Sequence, residues 1–163
     1  MLLFLIILVI LILDQWTKYL ISSRLTFDKQ IPVIKDFFNI VYVRNNGAAF
    51  GLFSRHPTSF TVPFFIIVSI LAIGMVIYFY KTYAKGFILR KLALAFILGG
   101  AIGNLIDRVR FGSVVDFLDF YWKTRHWPAF NVADTAICIG VGLLILEMIK
   151  DEFCITSEKP KLE

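Results

Sequence analysis

The chain has 163 residues, enough for one domain, and its apolar share of 58% with a mean hydropathy of +0.76 lies well above that of a soluble fold. Its net charge of +5 is accounted for by membrane topology and anionic lipid, and nothing in the sequence points to nucleic acid as a partner. The two histidines, His56 and His126, stand in no metal-ligand spacing, and neither a metal nor a cofactor is expected.

A bilayer core about 30 Å thick needs roughly 20 mostly apolar helical residues to cross it. Segment 2–21 has that length and carries Asp14 and Lys18. It lacks the basic leader and small-residue cleavage site of a secretory signal, so it reads as a retained span. Residues 22–60 form a long loop in which Ile31 to Val43 are rich in β-branched and aromatic residues and predict a strand. Segment 61–80 is an uncharged second span. Lys81, Lys85, Arg90 and Lys91 follow in a dense basic cluster, which places that short loop and both termini in the cytoplasm. Span three is expected over 87–106, with Gly99, Gly100, Ala101 and Gly103 allowing close helix approach. The outer loop 107–130 holds a second strand over Val114 to Trp122, and span four covers 131–149. The strands are expected to form a small sheet at the outer surface, resting on the membrane through its aromatic residues. Cys138 and Cys154 lie about 24 Å apart along one helix, beyond disulfide reach.

Ionisable groups are costly in a bilayer, so each needs a partner, a water-filled cavity or a task. Asp14 and Lys18 share a helix face and read as an ion pair. Glu147 and Lys150, three apart, read as another pair or as snorkelling side chains. Asn131 is a candidate N-cap, which puts Asp134 in the first turn of span four, just beneath the outer surface. Asp116 lies between apolar residues just outside span three. Alone, Asp134 also reads as a capping acid and Asp116 as a solvated strand residue. The loop between them returns the chain to the same membrane face, so the two carboxylates can meet.

Two carboxyl groups held close share one proton near neutral pH, as in an aspartic protease. The ionised member activates a water and the protonated one bonds the scissile carbonyl, with no metal or covalent intermediate. The helix N-terminus favours Asp134 as the ionised partner. Asn45 is expected to hold substrate backbone or to belong to an ordinary Asn-Gly turn. Arg108 either satisfies a carboxylate of the site or pairs with Asp107, and Asp119 reads as strand surface or loop support.

Asp14-Gln15-x-x-Lys18, Asn45-x-Gly47-Ala48-Ala49-Phe50, Gly103-Asn104-x-x-Asp107-Arg108, Val114-Val115-Asp116-Phe117 and Phe130-Asn131-x-Ala133-Asp134 occur in this order. With them the chain resembles the lipoprotein signal peptidases, the type II signal peptidases of bacteria, over about residues 14 to 135. The resemblance implies a single integral membrane domain of four transmembrane helices with a small extracytoplasmic sheet, or cradle, and an outer loop or helix flap. It implies cleavage of prolipoproteins before a cysteine carrying diacylglycerol, at the outer face of the inner membrane, by a catalytic pair of Asp116 and Asp134. Asp14, Lys18, Asn45, Gly103, Asn104, Arg108, Asn131 and Ala133 would support that site, and the antibiotic globomycin would occupy it. The expected working unit is a monomer in membrane lipid. The family's polar leader before the first span is missing here, which points to a trimmed or differently assigned start.

Two other classes compete with this reading. An ion or proton carrier predicts acids stepping through the bilayer, whereas the middles of spans two to four are uncharged. A noncatalytic membrane assembly factor predicts that both aspartates are structural.

Overall fold

The computed structural model describes residues 2–27, 29–47, 58–84 and 86–157. Four helices carry the chain back and forth: α1 (Leu2–Arg24), α2 (Thr58–Tyr83), α3 (Ile88–Phe111) and α4 (Val132–Ser157). They have 23 to 26 residues each, or about 35–39 Å at 1.5 Å per residue, and all four are long and apolar enough to cross a membrane. Each continues past its expected limits, α3 by five residues up to Gly112, whose φ of 68° closes the helix as its N–H bonds the Arg108 carbonyl.

α3 is the central helix and touches the other three. Its small residues make this possible. A Cβ on Gly99 would meet the Ile10 side chain at 3.1 Å, and one on Gly103 would meet Asp14 Oδ2 at 2.7 Å. On the other side, Gly100 lies against the backbone of Ala133, and Gly140 of α4 lies against the backbone of Ala93. The bundle is polar inside and apolar outside: Asp14, Lys18, Asn104 and Asp107 are buried, while Leu5, Ile12, Trp16, Leu71 and Met75 are exposed. That inversion suits a lipid solvent.

At one end of the bundle lies an antiparallel sheet in the order β1 (Gln30–Ile34), β2 (Phe38–Asn45), β3 (Val114–Trp122), β4 (Arg125–His126). The segment 31–43, expected to contain a strand, is a hairpin of two. Lys35, Asp36 and Phe37 turn the chain, with Asp36 at φ 63°, a left-handed conformation that aspartate tolerates better than most residues. Between Ile40↔Leu118 and Val43↔Asp116, β2 uses three residues where β3 uses two. This bulge sets the face on which Val43 and Asn45 present their side chains. Residues 48–57 of the outer loop lie outside the described residues, and with them Ala48, Ala49 and Phe50 of the Asn45 motif.

Candidate active site

The end of α3, the start of β3 and the start of α4 converge where the sheet meets the helices. After β4 the chain runs back along β3, and Phe130 forms a bridge with Leu118: its carbonyl accepts from Phe117 N (3.0 Å) and Leu118 N (2.9 Å). The next residue, Asn131, therefore enters α4 beside Asp116.

Asn131 is the N-cap of α4. Its Oδ1 accepts from Asp134 N at 3.0 Å, and its own backbone N–H points back to Asp134 Oδ2 at 3.3 Å, a reciprocal cap that fixes the Asp134 rotamer. With Oδ1 committed to the cap, the Asn131 amide nitrogen faces the other way and donates to Asp116 Oδ1 at 2.7 Å. One residue thus holds both carboxylates. Asp116 Oδ2 accepts from Asn45 Nδ2 at 3.0 Å, a diagonal contact across the sheet because Asn45 is paired with Val114. Asp134 Oδ1 accepts from Asn104 Nδ2 at 2.7 Å.

Behind this pair lies a buried ionic network. Lys18 Nζ contacts Asp14 Oδ2 (2.9 Å), Asp107 Oδ2 (3.0 Å) and Asn104 Oδ1 (3.0 Å). Asp14 Oδ1 accepts from Ala133 N at 2.9 Å, so a carboxylate of α1 caps the start of α4. Asp107 also accepts from Val115 N (3.2 Å) and Gln15 Nε2 (2.9 Å). Among the described residues no buried side-chain nitrogen or oxygen lacks a hydrogen-bond partner. A fully satisfied network of this kind holds its members rigidly.

Burial pushes the Asp116 carboxyl up to about 7, and the charge of Asp134 adds to that push; the bonds from Asn45 and Asn131 and the charge of Lys18 act against it. Both carboxyls line one cavity of about 480 Å³, with Asn45, Asn104 and Arg108 among its polar walls and Trp127, Pro128, Phe130 and Ile137 among its apolar ones. Such a site sets two carboxyls beside an apolar wall in one cavity.

All ten residues named for the site are brought together. Gly103 supplies the space that Asp14 fills, and Ala133 supplies a backbone N–H. The expected Arg108–Asp107 pair does not form: Asp107 belongs to Lys18, while Arg108 lies over the Phe65 ring at 5.4 Å and faces the cavity. Glu147 pairs with Arg90 of α3 at 3.0 Å rather than with Lys150, because packing of α3 on α4 buries it next to a stronger donor. Gln15 and Asp107 stand in the motifs, but the sequence assigns them no role in the site. Their spacing beside Asp14 and Asn104 on two facing helices was the available signal.

Residues 6–150 match the family model described as Signal peptidase (SPase) II. The chain belongs to the signal peptidase II family. It is 54% identical over 138 residues to a lipoprotein signal peptidase of Syntrophotalea carbinolica, covering 85% of this chain and 84% of that one. It is 52% identical over 142 residues to a lipoprotein signal peptidase of Geobacter sulfurreducens, covering 87% and 88%. A solved structure described as a bacterial membrane enzyme at 2.3 Å superposes with a TM-score of 0.83 at 37% identity, covering 99% of this chain and 93% of that one. As a member of the signal peptidase II family the chain is a multi-pass membrane peptidase.

Proposed function

We propose that this chain is an aspartic endopeptidase that removes signal peptides from prolipoproteins, cleaving before a diacylglyceryl-modified cysteine. The observation that carries the reading is the bonding of both Asp116 and Asp134 to Asn131 at the rim of one cavity. The raised pKa of Asp116 supports its role as the protonated partner near neutral pH, with Asp134 ionised at the helix N-terminus.

In this mechanism Asp134 takes a proton from the bound water as its oxygen attacks the scissile carbonyl carbon. Asp116 hydrogen-bonds the carbonyl oxygen and transfers its proton to it, giving a neutral tetrahedral diol. The diol then collapses: the C–N bond breaks, the nitrogen takes up the proton held by Asp134, and a diol hydroxyl returns its proton to Asp116. Two peptide termini leave and the pair is restored. Asn104, Asn45 and Asn131 keep both carboxyls in place throughout, and Lys18 and Arg108 offset the negative charge.

The basic cluster around Lys81, Arg90 and Lys91 supports cytoplasmic termini in a bacterial inner membrane, which puts the sheet and the carboxyl pair at the outer face. There the acyl chains of a lipidated substrate stay in the bilayer while its scissile bond reaches the cavity. The expected working unit is a monomer, and globomycin is expected to compete for the cavity. The test is purified protein in lipid nanodiscs incubated with one precursor, with and without its diacylglyceryl group. Cleavage of the lipidated form alone, with the modified cysteine at the new N-terminus by mass spectrometry, supports the reading. Equal cleavage of both forms, or of neither, overturns it.

A further inference from the structure

Asp119 is buried at 6% exposure yet plays no part in the site above. Side chains alternate along a strand, so Asp116 and Asp119, three apart on β3, point to opposite faces. On its own face Asp119 holds three strands at once. Its Oδ2 accepts from Nδ2 of Asn39, its register partner on β2, at 3.1 Å, and its Oδ1 lies 2.9 Å from Nδ1 of His126 on β4. Nδ1 can carry the hydrogen of that bond and the carboxyl oxygen accept it. The His126 ring stacks on Tyr121 with centroids 4.9 Å apart and planes 9° from parallel.

The tie between Asp119 and His126 anchors a strand that is otherwise weakly held. β4 has only two residues and two register pairs with β3, Tyr121↔His126 and Trp122↔Arg125, too few to hold a hairpin by backbone bonds alone. From His126 the chain passes directly into residues 127–130, every one of which lines the cavity. Trp127 N bonds the Phe120 carbonyl at 2.8 Å, so the wall starts from the segment that His126 fixes.

We propose that His126, held by Asp119, is a positioning residue that sets the apolar wall of residues 127–130 against which the apolar part of the substrate lies. This inference rests on the peptidase reading for its substrate. Because the Phe130 end of the wall is fixed separately by its bonds to Phe117 and Leu118, and the carboxyl pair by its own network on the other face of β3, losing the His126 tie shifts the start of the wall and acts on substrate affinity rather than on the chemical step.

The test compares wild type with His126→Ala, His126→Phe and His126→Asn for cleavage of a lipidated precursor, with backbone amide exchange at residues 127 and 130 read in the same samples. His126→Phe keeps a ring to stack on Tyr121 and removes the donor. His126→Asn keeps a donor near the position of Nδ1. Loss of one hydrogen bond is expected to raise KM by about tenfold in the Ala and Phe variants with kcat unchanged, and to speed amide exchange there, while Asn restores both. A KM unchanged in Ala and Phe, a fall in kcat instead, or no rescue by Asn overturns the proposal. If wild type cleaves no lipidated precursor, the peptidase reading fails, and the exchange measurement still decides the structural tie: equal exchange in all four proteins ends it.

Discussion

Lys18 Nζ donates to Asn104 Oδ1 at 3.0 Å, and this contact decides which end of the Asn104 amide faces Asp134. With its oxygen engaged by the ammonium, Asn104 can offer only its nitrogen, which it does at 2.7 Å. Asn131 is oriented in the same way, its oxygen held by the Asp134 N–H and its nitrogen turned to Asp116. The orientation of both amides is thus set by what holds their oxygens, the Lys18 ammonium for Asn104 and the Asp134 backbone N–H for Asn131.

Lys18→Met is therefore expected to do two things. It leaves Asp14 and Asp107 buried without their cation, costing about 3–5 kcal/mol. It also frees the Asn104 amide to turn, which lowers kcat more than it changes KM. Adding Asp107→Asn to Lys18→Met is expected to recover part of the stability, measured by thermal unfolding in detergent, and none of the activity. Full recovery of activity by the double variant would show that Lys18 acts only by balancing charge.

Asn131→Asp separates the cap from the bridge. A carboxylate oxygen can still accept from Asp134 N, so the loss of helix capping is small, within about 1 kcal/mol. The donor to Asp116 is gone and a third acid joins the pair. The protein is expected to fold and to lose cleavage by about a hundredfold or more, as when a preorganised donor is removed from a polar site. Retention of near wild-type kcat would remove Asn131 from the machinery.

Gly103→Ala would drive a methyl to within 2.7 Å of Asp14 Oδ2, in a region with no free space. We expect destabilisation of about 1–3 kcal/mol and a matching loss of activity. Gly74→Ala has nothing within 4 Å of the added carbon and is expected to be neutral or stabilising by up to about 1 kcal/mol. Equal melting temperatures for the two variants would contradict the packing role of Gly103.

Asp116, whose carboxyl is raised from 3.8 to about 7 in the folded protein, contributes a pH dependence. Its protonated form is the one the fold prefers. The stability it contributes is complete below the unfolded pKa and is lost as pH rises through about 7. Activity is expected to fall over the same alkaline limb, because the carbonyl loses its proton donor. Asp116→Asn should flatten the stability profile between these limits. An unchanged slope in that variant would assign the titration to another group.

The helices were legible because runs of about 20 apolar residues have few other solutions, and α4 could be started at Asn131 from its cap chemistry alone. The meeting of Asp116 and Asp134 was inferable from topology, since a short loop between two spans must return to one face. Partner choice was not legible. Asp107 has Arg108 next to it in sequence, but a helix turns adjacent side chains about 100° apart, and only the packing of α1 on α3 shows that Lys18 arrives on the Asp107 side. Glu147 went to Arg90 for the same reason. The 31–43 hairpin was missed because its turn is marked only by Lys35-Asp36, without the glycine that usually signals a left-handed residue. Asp119 read as strand surface or loop support, because strand alternation cannot say that both faces of β3 are covered.

The most direct measurement is kcat for cleavage of a lipidated precursor by Asp116→Asn, Asp134→Asn and the protein carrying both changes, each shown to be folded. If the two carboxyls act as one unit around a single water, either substitution abolishes turnover and the second adds nothing further. Measurable turnover at a near wild-type rate in either single variant, or losses that multiply in the double, would contradict a shared role.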